Sequence, residues 1–129
     1  MDLEEVRQVT FDVSKRIEQI MVGTGLDIVT SCNCDEYTTP TVELDCVAIG
    51  IAIEIEDGEP LKYWAYRENI DPGVRYYPDG SGDTPSSDLI PLGDTHENMD
   101  EAIVEAVKAA VEAMIREFFD REREEHVGI

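Results

Sequence analysis

The sequence predicts an α+β fold of order α-β-β-β-α, a single domain over residues 1–129. In it a three-stranded, mainly antiparallel sheet is packed by an N-terminal helix and a long C-terminal helix. Three observations predict this. Apolar residues recur every three or four positions near both ends of the chain, and they alternate with period two in between. In addition, 42% of the 129 residues are hydrophobic, enough for a core of one domain and too many for a disordered acidic tail.

Residues 3–21 place Leu3, Val6, Val13, Ile17 and Ile20 on one helical face. Asp2 with Glu5 three positions on has the character of a capping box, and Gly23 and Gly25 supply the stop. Phe11 lies off that stripe, at the edge of the core or against another chain. Residues 26–32 alternate Leu26, Ile28, Thr30 and Cys32 on one face and read as a short strand. Residues 33–41 are turn-like. The next run, 42–56, changes its apolar side midway and is apolar on both faces between 46 and 52. Either a bend or bulge near Gly50 re-aims one long strand, or a second layer covers its small-residue face. Asp57 and Gly58 then turn the chain into a third strand, 61–67, with Trp64 and Tyr66 on one side and Tyr63 and Ala65 on the other.

Residues 69–95 hold four of the six prolines and read as one long loop, carrying Arg75, Tyr76 and Tyr77. A loop of this length in a compact domain is usually functional or disordered. Asp94 and Glu97 open the last helix, 96–124, where Met99, Ile103, Val107, Val111, Met114 and Phe118 form a stripe that Val104, Ile115 and Phe119 widen. A stripe this wide suits a helix lying across a sheet. Ile51 and Ile115 are both expected in the core.

Thirty Asp and Glu against ten Lys and Arg give a net charge of -20, with an acidic excess in every segment. Such a chain does not bind bare phosphate backbone, where affinity comes from basic residues displacing counterions, nor an anionic membrane surface. The acidic start lacks the basic region of a signal peptide, and no run approaches a membrane span. An intracellular setting is therefore expected, and three cysteines, an odd number, agree with free thiols in a reducing compartment. Three lysines beside so many acids resemble the composition of proteins from salt-loving archaea and their viruses, although twelve isoleucines fit that composition less well.

Catalysis needs a nucleophile, base or metal in a defined arrangement, and none is expected here. His96 falls in the first turn of the last helix and His126 in a charged tail, both exposed. Cys32, Cys34, Cys46 and His96 could number four zinc ligands, but their spacing is unusual for a structural site and small buried thiols explain the cysteines better. Asp79, Ser81 and Asp83 begin like a calcium loop, which fails at Thr84 and Ile90. Glu54 and Glu56 read as a solvated pair. No catalytic, metal or cofactor residue is assigned, and no cofactor is expected.

What the pattern offers is contact surface. Arg75, Tyr76 and Tyr77 are residue types that anchor protein interfaces, and Phe11 is a further candidate. Helix, short strand, then Asp35, Glu36, Tyr37 and Pro40 ahead of an apolar strand and a hairpin: in this order of elements, residues 3–67 resemble the tail terminator and tail-completion proteins of tailed viruses. Those are small α+β proteins that form rings at the head-to-tail joint, and the long final helix departs from them. The resemblance implies a non-enzymatic virion component in a homo-oligomeric ring with other virion proteins, assembled in the host cytoplasm and, given the composition, from a halophilic virus. In size and charge the chain also resembles acidic inhibitors that mimic nucleic acid to block restriction or CRISPR enzymes, although Arg116, Arg121 and Arg123 interrupt the acids. In mass, acidity and last helix it resembles type III secretion chaperones, which are cytoplasmic dimers. The order of elements is similar to the double-stranded RNA-binding domain, whose basic cluster is missing here.

Overall fold

A computed structural model of the chain describes residues 2–26, 28–34, 38–44, 48–70 and 87–127. The elements are α1 (Leu3–Met21), β1 (Thr30–Asn33), β2 (Thr41–Leu44), β3 (Ile49–Glu54), β4 (Lys62–Ile70), β5 (Ser87–Pro91) and α2 (Met99–Val127). The α+β class holds, but the sheet has five strands rather than three, all antiparallel, in the order β1-β2-β3-β4-β5.

The added strands come from two places. The run 42–56 is neither bent nor one strand: it is the hairpin β2–β3, with Leu44 paired to Ile49 and Val42 to Ile51. Paired residues point to the same face, so the even positions of β2 and the odd positions of β3 share the core side, which explains the switch of apolar parity. Ala48, just before β3, adopts φ 55, a left-handed conformation unusual for a residue with a side chain. The loop expected over 69–95 contains the fifth strand, because β4 runs on to Ile70 and pairs with β5 from Tyr66↔Pro91 to Ile70↔Ser87. The first strand is shorter than expected, starting at Thr30. Leu26 is exposed, while Ile28 is still buried.

Register places Val42, Ile51 and Ala65 in one row across the sheet and Ile53 with Tyr63 in another. Val13, Ile17 and Met21 of α1 and Ala102, Ile103, Ala106 and Ala110 of α2 close over these side chains to form the core. α1 lies against β1 and β2, and α2 against β3 and β4. The expected α1 is found residue for residue: the Asp2 carboxylate accepts from Glu5 N at 2.9 Å, and the chain leaves the helix through Gly23 and Gly25 at positive φ. The two helices are tied by Arg16, whose Nε and Nη2 each donate to the Asp100 carboxylate at 2.8 Å. This bidentate pair holds Asp100 below the usual carboxylate range.

On the opposite face of the sheet, Gly50 of β3 pairs with Tyr66 of β4. The phenol ring lies over the glycine: a Cβ on Gly50 would come within 2.5 Å of both Tyr66 Oη and the Val42 carbonyl oxygen. Tyr66 is 1% exposed and Ala52 fully buried, so both faces of β3 are covered within the chain. Tyr66 also meets Trp64 edge to face, with ring centroids 6.1 Å apart.

Gly50→Ala should therefore lower stability by about 1–3 kcal/mol, the usual cost of forcing atoms into a filled site. Urea denaturation checks this. A variant as stable as the parent would show that Tyr66 does not occupy the space over Gly50.

Candidate functional site

α2 is 29 residues long, or roughly 43 Å at 1.5 Å per residue. Asn98 caps it, accepting from Asp100 N at 2.9 Å, so it begins three residues later than the expected 96. Full burial ends at Ala110. Ala113 and Met114 are the last residues packed against the core, so the sheet supports only about 24 Å of the helix, from Met99 to Met114. The rest overhangs the end of the sheet where β3 begins.

Here the expected packing of α2 fails in part. Ile51 and Ile103 are fully buried, but Ile115, expected in the core with Ile51, is 50% exposed, Phe118 60%, Phe119 58% and Val104 47%. The apolar residues that widen the stripe do not lie across the sheet. Val104, Val111, Ile115 and Phe118, spaced seven, four and three, make a second stripe on the outward side of the helix, with Phe119 beside it. Phe118 and Phe119 meet edge to face at 5.9 Å. Between the overhang and the sheet end lies an open groove of about 580 Å³ lined by Ile49, Arg67, Leu92, Ala109, Ala113 and Arg116. The overhang exposes Ile115, Phe118 and Phe119 together, and Val22, Leu26 and Val29 form a second exposed apolar group between α1 and β1.

Of the residues singled out by sequence, Phe11 is 49% exposed on α1, with Lys15 Nζ 5.1 Å from its ring centroid. It borders a shallow depression with Arg7, Cys32 and Cys34. Arg75, Tyr76 and Tyr77 lie outside the described residues, as do Cys46 and the calcium-like run Asp79, Ser81 and Asp83. Cys32 and Cys34 are free thiols at the β1 edge, across the sheet from His96, so they do not converge with it. Among the described residues no group of three or more His, Cys, Asp and Glu can hold a metal ion, and no helix is long and apolar enough to cross a membrane.

His96 is neither in the helix nor exposed. Its backbone exchanges two hydrogen bonds with Tyr63, at 2.7 and 2.8 Å, continuing the β4 ladder past β5 with two extra residues in the returning strand. Its imidazole is held between two carboxylates of α2, Nδ1 to Glu101 at 2.9 Å and Nε2 to Glu105. Glu105 also abuts Gly93, where a side chain would collide with it. With a carboxylate on each nitrogen the charged ring is favoured, and its pKa is raised, by the Glu105 hydrogen bond first, against the opposing effect of burial. The ring is a clamp between the sheet edge and the start of α2. The sequence signal for it was the pair of glutamates one turn apart on α2, beyond a histidine just ahead of the helix.

On the far face of the sheet, Trp64 Nε1 and Tyr66 Oη are buried without a hydrogen-bond partner among the described residues. Burial raises the Tyr66 pKa, with the nearby Glu43 and Glu68 carboxylates adding to it. No protein family, curated protein or solved structure matches this chain.

Two outcomes follow. Ile103→Ala should cost about 2–5 kcal/mol as a core truncation, whereas Ile115→Ala should cost less than about 1 kcal/mol in the isolated chain. Equal losses in denaturant titrations would put Ile115 in the core after all. For His96, a folded-state pKa above 6.5 means that its contribution is fully present below about pH 6.5 and fades as pH rises through the folded value. The melting-temperature gap between the parent and His96→Gln should accordingly narrow as pH rises. A gap that widens would contradict the clamp.

Proposed function

We propose that this protein acts by joining polypeptides rather than by transforming a substrate, and that the overhanging end of α2 is its contact surface. The carrying observation is the outward stripe of Val104, Ile115, Phe118 and Phe119, each about half exposed or more on a helix that continues beyond the packed core. Clustered apolar exposure of this kind marks interaction surfaces. Large aromatics are the side chains that anchor such contacts.

The narrower form of the proposal is a virion component at the head-to-tail junction or tail end of a tailed virus. The order-of-elements resemblance supports it, reduced by the additional β2–β3 and β4–β5 pairings that the resemblance does not include. The apolar faces of β3 offer nothing to ring neighbours, since they are covered by its own hairpin, by Tyr66 and by the helices. The overhang is what remains for them.

A net charge of -20 makes copies of the chain repel one another at low ionic strength. Salt shortens the reach of that repulsion, to about 8 Å at physiological strength and about 3 Å at 1 M, so assembly should strengthen with salt. Light scattering across a salt titration, with sedimentation alongside purified virions, tests the reading. Larger species at high salt and co-sedimentation are expected. A protein that stays monomeric throughout and blocks a DNA-cleaving complex would instead be an acidic nucleic-acid mimic.

A further inference from the structure

We infer that β1 is a self-pairing edge: two copies of the chain join β1 to β1 antiparallel about a two-fold axis, making one continuous sheet. β1 is the first strand of the sheet, and among the described residues only β2 lies beside it. An exposed edge is a template for another strand, and proteins blunt such edges with charge, proline or a covering segment. The opposite edge, β5, carries Asp88 and Pro91. β1 carries no such guard: residues 28–34 contain no charge, proline or glycine, and Cys32 and Asn33 are exposed. Over the wider segment 20–34 the one charged residue is Asp27, in a chain that is 31% charged.

Backbone groups along an edge call for a strand, and the position of α1 names a second copy as its source. α1 lies over β1 and β2, so its axis sits about half a strand spacing inside the edge. With about 4.8 Å between β1 and the β1 of the second copy, the two α1 axes come roughly 10 Å apart, a helix packing distance. The two-fold axis is perpendicular to the sheet and keeps both helices on one face. An isolated peptide strand would leave the exposed Phe11 uncovered, whereas a second α1 covers it.

The seam between the helices is self-complementary. Ser14 Oγ meets Thr30 Oγ1 at 2.6 Å and the Cys32 thiol donates to the Thr10 carbonyl at 3.5 Å, so α1 runs antiparallel to β1 and residue 12 lies level with Ser31. The flank of α1 above the edge holds Arg7, Phe11, Ser14 and Glu18, all bordering the β1 side. With the axis at Ser31, the centre of the uncharged run, equivalent flanks meet. Arg7 of each copy then stands opposite Glu18 of the other, and both Phe11 rings lie beside the axis. Glu4 and Lys15, one acid and one base, lie further out. Asp27 at one end of the run, and Asp35 and Glu36 at the other, confine pairing to it, and their repulsion weakens in salt.

Sedimentation equilibrium at fixed physiological salt tests the pairing, in a Phe118→Glu background so that association through α2 is not counted. That chain should still reach twice its 14.5 kDa at high concentration. With the axis at Ser31, position 29 of one copy stands opposite position 33 of the other, and both are exposed. Val29→Lys with Asn33→Glu should dimerise at least about tenfold more tightly than Val29→Lys with Asn33→Lys, about 1.4 kcal/mol over two cross-strand contacts. General repulsion predicts the reverse order, because the chain with two added lysines is the less acidic. Phe11→Ala, away from the strand, should weaken dimerisation as well. Equal affinities of the two double variants, tighter pairing of the lysine pair, or no effect of Phe11→Ala would each overturn the inference. So would a Phe118→Glu chain that is monomeric at every concentration. In that case a parent that still associates leaves the α2 reading standing. Association unaffected by Phe118→Glu instead supports β1 pairing and removes α2 from self-assembly.

Discussion

The structure depends on burying β3 on both faces. Ile49, Ile51 and Ile53 point to the helices, and Gly50 and Ala52 point away. A strand with no polar face must be interior, flanked by strands on both edges and covered on both sides. β2 and β4 supply the edges, α1 and α2 cover the isoleucines, and Tyr66 covers Gly50 from the neighbouring strand. Much else follows from this. β2 must turn back immediately to pair with β3, β4 must be long enough to carry both Tyr66 and the pairing to β5, and α2 must lie along β3 and β4 to complete the core.

What holds α2 in that position is concentrated at its start. The Arg16–Asp100 pair ties its first turn to α1, Asn98 caps it, and His96 bridges Glu101 and Glu105 to the edge of β4. Exposed ion pairs contribute little individually, so the helix owes its placement mainly to Ala102, Ile103, Ala106 and Ala110. The small residues among these let the helix sit close to the isoleucines. Past Met114 the helix has no further core to pack on, and the same molecule that is tightly fixed at one end of α2 presents unpaired apolar side chains at the other.

Much of this was legible in the sequence where a single period governed a segment. α1, its Asp2 cap and its glycine stop can be read directly, because 3.6-residue spacing and capping are local. The β2–β3 turn could not be read by its residues: positions 45–48 contain no Gly, Pro or Asn, and Ala48 takes a left-handed conformation that alanine rarely adopts. The parity switch between Leu44 and Ile49 was the available signal, but a bend and a hairpin produce the same switch. β5 was hidden by its shortness and by Pro91 at its end. The exposed apolar end of α2 was missed for a different reason. Periodicity gives the angle at which Ile115, Phe118 and Phe119 leave the helix but not where the sheet beneath it ends, so a second stripe looks like a broad first one. Arg75, Tyr76 and Tyr77, chosen by residue type, fall outside the described residues, whereas Phe11 is exposed as an interface residue would need to be.

The central claim is that α2 is one helix with two environments, a first half fixed by its own domain and a second half completed by a partner. Hydrogen exchange of the α2 amides at low and high protein concentration tests it most directly, since protection reports local stability segment by segment. Amides near residues 102–110 should be strongly protected at both concentrations, while those near 115–123 should exchange quickly when dilute and gain protection when concentrated. Uniform protection along the whole helix in dilute monomer would contradict the account, as would an overhang whose exchange does not respond to concentration.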